Sequence, residues 1–149
     1  AAQRHFGFEM DPRDLTAAEA ETLARITTWW KANRHWTMRA DVHRLSSADP
    51  AIIAELQLAA DGTRFITYVG VNQTSLQTSP RPLQLTGLDP TATYRVALKN
   101  PEDAPPQSRG PNVLKSGPLT LTGQFLMTHG LTLPVAWPAT MWVIEGTRL

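Results

Sequence analysis

The chain has 149 residues, 42% of them apolar and 18% charged, enough for one compact domain or for one domain with part of another. Lys and Arg number 14 against 13 Asp and Glu, and this net charge of +1 excludes the strongly basic composition of a nucleic-acid binder. The absence of cysteine excludes disulfides, thiolate metal sites and a cysteine nucleophile and fits a cytoplasmic location, and no apolar run approaches the roughly 20 residues of a membrane span.

Phe6-Gly7-Phe8-Glu9-Met10 alternates like the end of a strand. Together with the lack of an initiator Met, it suggests a piece cut from a longer protein. Thr16-Ala17-Ala18-Glu19 then forms a capping box, in which the threonine oxygen and the glutamate carboxylate satisfy each other's backbone N–H. The pattern predicts a helix from Ala17 to His35 or Thr37, with Leu23, Ile26 and Trp30 on one apolar stripe. Lys31 and Arg34 suit the negative end of its dipole.

After Arg39 the period becomes alternating. Val42 and Leu45 open a strand, Asp49-Pro50 makes a turn, and Ile52–Ala59 and Arg64–Val71 flank the hairpin signal Ala60-Asp61-Gly62. A two-residue loop would pair Leu58 with Phe65. A three-residue loop with Gly62 left-handed would pair Leu56 with Ile66, and it is preferred because it gathers Ala54, Leu56, Leu58, Ile66 and Tyr68 on one face. Leu83–Leu85, Tyr94–Leu98, Leu119–Leu121, Leu131–Val135 and Thr140–Glu145 read as further strands. The Pro-rich stretch Asn100–Pro118 reads as a loop, and Gly123–Met127 as a turn or a single helical turn. The expected fold is therefore mainly β: an N-terminal helix, then an antiparallel sandwich of about eight short strands.

Chemistry-bearing groups are sparse. His5, His35, His43 and His129 show no metal spacing, and His129 before Gly130 reads as a turn residue. No Gly-x-Ser-x-Gly and no Gly-rich phosphate loop is present. Glu9 and Asp11 are the one carboxylate pair at the end of a strand-like stretch, where barrel enzymes keep functional groups, although Asp11-Pro12 reads more simply as a turn starter. Of Trp29, Trp30, Trp36, Trp137 and Trp142, Trp30 lies on the helical stripe and Trp142 on one face of the last strand. Packing accounts for the tryptophans better than a sugar-stacking platform does. Arg34, His35, Arg39, His43 and Arg44 around Trp36 could form a basic patch, but nearby acids and the helix dipole explain them.

Phe6-Gly7-Phe8-Glu9-Met10-Asp11-Pro12 with Leu15-Thr16 and the Trp/Lys helix resembles the end of the catalytic barrel in α-galactosidases of glycoside hydrolase family 36. Ala59-Ala60-Asp61-Gly62, Leu85-Thr86-Gly87-Leu88-Asp89-Pro90 with Tyr94-Arg95-Val96, and Leu121-Thr122-Gly123 with His129-Gly130-Leu131-Thr132-Leu133-Pro134 are similar to that family in order and spacing.

The resemblance implies that residues 1–40 are the last strand and helix of a (β/α)8 barrel and residues 41–149 a C-terminal antiparallel β domain. It implies a retaining parent enzyme acting on terminal α-galactosides, with a nucleophilic and an acid/base aspartate about 5–5.5 Å apart in the barrel. An N-acetylgalactosaminidase or a galactosyltransferase-like relative stays open as the parent. None of Asp11, Asp14, Asp41, Asp49, Asp61, Asp89 and Asp103 matches a catalytic motif of the family, so the chain is expected to hold no catalytic, metal or cofactor-binding residue. The expected partners are the rest of the parent enzyme and, through the uncovered helix, a second copy of the chain. Neither nucleic acid nor membrane is expected. The alternative is a free-standing carbohydrate-binding β module.

Overall fold

A computed structural model describes residues 6–7, 9–77, 81–103 and 111–149. The chain divides into two compact units, Ala1–Ala40 and Asp41–Leu149.

In the first unit, a 3-10 turn at Pro12–Asp14 precedes helix α1, Ala17–Thr37. The capping box is formed: Thr16 Oγ1 accepts from the Glu19 N–H at 3.3 Å, and the Glu19 carboxylate accepts from the Thr16 N–H at 2.8 Å. Leu23, Ile26 and Trp30 are half-buried, and only Thr37 of the helix is buried. The Trp30 ring stacks on Phe6 at 5.6 Å, with the Arg34 guanidinium 5.4 Å from its centroid. Phe6, Gly7, Glu9 and Met10 form no strand, in contrast to the expectation for that stretch, and Phe8 lies outside the described residues.

The second unit is built on one antiparallel sheet. Among the described residues its strands are β1 (Asp41–Leu45), β2 (Ile52–Leu58), β3 (Arg64–Val71), β4 (Thr93–Leu98), β5 (Leu119–Thr122) and β6 (Thr140–Arg148). Their spatial order is β1-β2-β3-β6-β4-β5, so the last strand in sequence lies in the middle of the sheet. Two short helices, α2 (Val113–Ser116) and α3 (Gly123–Thr128), flank β5. The helix α2 falls inside the stretch expected to be loop throughout.

The mainly-β antiparallel expectation holds, but the second layer differs from a second sheet. One sheet face carries Ala54, Leu56, Leu58, Phe65, Val69, Tyr94, Val96, Trp142 and Ile144. It is covered by Leu83, Leu85, Leu88, Leu126, Leu131 and Leu133 from connecting segments. Of the expected strands Leu83–Leu85 and Leu131–Val135, only the bridge Leu83↔Leu131 forms. These segments are apolar because they cap a core. They contact it as irregular chain, without a ladder of their own.

The hairpin register also corrects the expectation. Leu58 pairs with Phe65, Gln57 with Ile66 and Leu56 with Thr67. Ile66 and Tyr68 therefore face away from Ala54, Leu56 and Leu58, and Phe65 and Val69 join the core instead. Two local features hold this register. Gly62 is left-handed, at φ +67°, and its N–H donates to Ala59 O at 2.8 Å. The Asp61 carboxylate accepts from the Thr63 N–H at 3.0 Å and hydroxyl at 2.7 Å, so the loop uses four residues before Ala59 N–H meets Arg64 O. A third feature is distant: Gly146 faces Phe65 across the β3–β6 pair and leaves room for its ring.

Candidate functional site

Asp11 and Glu9 do not form a chemical pair. The Asp11 carboxylate caps the 3-10 turn, accepting from the Arg13 backbone N–H and from Arg13 Nε, both at 2.9 Å, and is ion-paired with the guanidinium. The Arg13 side chain foremost, then its backbone N–H, hold the Asp11 pKa below the ordinary carboxylate value. Such a group is a fixed acceptor and a poor proton donor. Glu9 is exposed.

The histidines are dispersed. His5 lies outside the described residues. His35 is exposed on α1, and His43 lies on β1 beside Gly87. His129 caps α3, stacks on Phe125 at 4.8 Å, and its Nδ1 is 2.9 Å from the Thr128 hydroxyl. Among the described residues no three His, Asp or Glu side chains gather as a metal ion would require.

The tryptophans divide. Trp142 is fully buried, its Nε1 donates to Pro134 O at 3.2 Å, and Lys115 Nζ lies 4.9 Å from its ring centroid. Trp36 Nε1 donates to Asn33 Oδ1 at 3.0 Å. Trp137 departs from the packing expectation: it is 55% exposed, just ahead of Pro138 and of Ala139, which holds a left-handed φ of 66°.

The feature that gathers the sequence motifs is a junction around Tyr94, which is wholly buried. The Tyr94 hydroxyl donates to Gly62 O at 3.2 Å and accepts from the Asp89 N–H at 3.4 Å. It thereby ties the β2–β3 turn to the segment before β4. The Asp89 carboxylate accepts from the Thr91 hydroxyl at 2.7 Å and N–H at 2.9 Å, and pairs with Arg148 of β6 at 3.2 Å. Those bonds, the Thr91 hydroxyl first, hold its pKa below the ordinary value. Gly123 sits so tightly against the Asp89 carbonyl that an added Cβ would fall 2.9 Å from its carbon. Gly130, at φ +80°, is equally tight against Leu83, with that carbonyl carbon 2.6 Å from a Cβ position. Asp61-Gly62, Leu88-Asp89, Tyr94, Gly123 and Gly130 are thus the fasteners of one fold. Close backbone approach and turn geometry require them.

Sequence patterning missed Asn100. Its amide donates to Met141 O at 2.8 Å and accepts from the Val143 N–H at 2.8 Å, so a side chain continues the β4–β6 ladder where Pro101 follows. An Asn directly before Pro at a strand end was the available signal.

The family model for the glycosyl hydrolase family 36 C-terminal domain matches residues 54–144. The chain belongs to this family. The matched span runs from β2 into β6 and contains Gly62, Asp89, Tyr94 and Gly123 of the junction. Solved structures agree on the fold of this family 36 chain. The galactosidase domain of the α-galactosidase–sucrose kinase AgaSK is similar at 20% identity, with a TM-score of 0.75, over 97% of this chain and 18% of its own. The family 36 α-galactosidase AgaA from Geobacillus stearothermophilus gives 20% identity, a TM-score of 0.74, and 97% and 18% coverage. The α-galactosidase from Lactobacillus brevis gives 14%, 0.71, 95% and 18%. The chain therefore spans about 18% of the length of these solved chains. A search of curated proteins finds no match.

Proposed function

We propose that this chain is the C-terminal part of a larger retaining α-galactosidase, a structural domain without catalytic residues of its own. Residues 1–40 are the end of the parent's catalytic barrel, with α1 its last helix, and residues 41–149 are its terminal β domain. The observation that carries the reading is the family match over residues 54–144, joined to a fold likeness that extends over 97% of the chain and so takes in α1. A free-standing sugar-binding module would have no use for a long helix whose apolar stripe is only half-buried. The junction at Tyr94 supports a scaffold role, because its motif residues are consumed by turns and packing. The rest of the parent enzyme is the partner, and without it the half-buried stripe Leu23, Ile26 and Trp30 favours pairing of two copies. Among the described residues no helix is long and apolar enough to cross a membrane, and the lack of cysteine suits the cytoplasm.

The test is incubation of the purified chain with a chromogenic α-galactoside. Release no faster than in buffer is the expected result. Turnover that disappears in Glu9→Gln or Asp11→Asn would overturn the reading.

A further inference from the structure

Between β3 and the residues that follow Gln77, the chain crosses the β1–β2 turn in a segment with unusual attachments. Asn72 is held by its N–H to Ala51 O at 2.8 Å, but among the described residues 73–77 make no backbone–backbone hydrogen bond. They also bury no apolar anchor, since Leu76 is 97% exposed. What fastens them is polar. Asp49 is only 5% exposed, and one carboxylate oxygen accepts from the Ala51 N–H at 2.9 Å while the other accepts from the Ser75 hydroxyl. That hydroxyl in turn accepts from the Gln77 N–H at 3.1 Å, and Gln77 Nε2 donates to Ala48 O at 3.1 Å.

We infer that residues 73–77 are a strap, latched by the Asp49 carboxylate onto the β1–β2 turn, which opens as a unit while the sheet stays folded. Among the described residues, opening exchanges two side-chain attachments for water and withdraws no apolar side chain of the strap itself from the core, so it lacks the large cost that keeps core strands closed. The Ser75–Asp49 bond is charge-assisted, which makes it the stronger of the two attachments and the one whose loss frees the segment. In the closed state both neighbours of Leu76 are pinned, and the leucine is held outward. In the open state the Asp49 carboxylate is uncovered to solvent.

Chymotrypsin reads this directly, because cleavage after Leu76 requires the flanking chain to leave the surface. In Ser75→Ala, cleavage after Leu76 should accelerate about ten- to a hundredfold, the factor expected for losing a hydrogen bond to a charged group. The urea midpoint of the sheet, followed by far-UV circular dichroism, should stay where it is. Gln77→Ala should accelerate the same cut by a smaller factor. An unchanged cleavage rate in Ser75→Ala would refute the latch. Faster cleavage matched by an equal loss of global stability would refute independent opening.

Discussion

The register of the β2–β3–β6 ribbon rests on a pairing that mutation can isolate. Phe65 and Gly146 are opposite residues, and a Cβ built on Gly146 falls 2.8 Å from Phe65 Cδ1 and closer still to Cε1 and Cζ. Ordinary carbon contacts are about 3.5–4.0 Å, so Gly146→Ala drives the ring out of place by an ångström or more. The ring cannot swing into solvent, because Phe65 is fully buried and lies 5.6 Å from Tyr94 in a tilted pair. Overpacking of this kind costs about 1–3 kcal/mol. Replacing a strand glycine recovers roughly 0.5–1 kcal/mol of backbone entropy, so the net loss should be at most about 2.5 kcal/mol. Phe65→Leu alone should also destabilise, since it gives up the ring pair, worth about 0.5–1.5 kcal/mol, and leaves space above Gly146. In the double variant the alanine methyl fills part of that space. Urea denaturation of the four proteins should therefore give a favourable coupling of about 1–2 kcal/mol, well above the scatter of independent sites. Additive losses would mean that Phe65 does not lie over Gly146, and the register argument would fall with it.

Acid should loosen the Tyr94 junction. Asp89 is held below its ordinary pKa by the Thr91 hydroxyl and N–H, and Asp61 by the Thr63 N–H and hydroxyl. Their contribution is present above the ordinary value near 3.8 and is lost as pH falls through the lower folded values. The urea midpoint should thus drop between pH 5 and pH 3, and the drop should shrink in Asp61→Asn/Asp89→Asn; equal losses in both proteins would exclude these carboxylates as the cause. Self-association through α1 should appear in light scattering of the full chain and vanish in a version beginning at Arg39, and a dimeric shortened version would place the contact on the β domain.

How much was legible from the residues depended on how one-sided each element is. The helix α1 could be read to its ends because a capping box is local chemistry and an apolar stripe has one period. The strands β2, β3, β4 and β6 were visible as alternation. The hairpin register was not, because β3 is buried on both sides of the sheet: Phe65 and Val69 face the core, yet Ile66 and Tyr68 are buried as well. A two-sided apolar strand carries no pattern that selects between registers one residue apart. One of the terms that select the register, Gly146 opposite Phe65, lies some eighty residues away in sequence. Leu83–Leu85 and Leu131–Val135 misled for a related reason, since apolar residues that lid a core alternate much as strand residues do. The resemblance motifs were legible as motifs, but their purpose emerged only when Asp89, Tyr94, Gly62 and Gly123 were seen to meet.

The placement of β6 has a consequence for how the domain comes into being. Strands β1, β2 and β3 can zip together as soon as they leave the ribosome, and so can β4 with β5. No backbone ladder joins the two ribbons except through β6, which pairs with β3 on one side and β4 on the other. Until Thr140–Arg148 has been synthesised, two inner edges stand open with their backbone donors and acceptors unspent, the arrangement most prone to recruiting a foreign strand. Assembly of this sheet is therefore a closing stitch that waits for β6. A nascent chain halted before Thr140 would be a pair of sticky ribbons, and a free peptide of the β6 sequence could complete it or, offered too early, usurp the place of the chain's own strand.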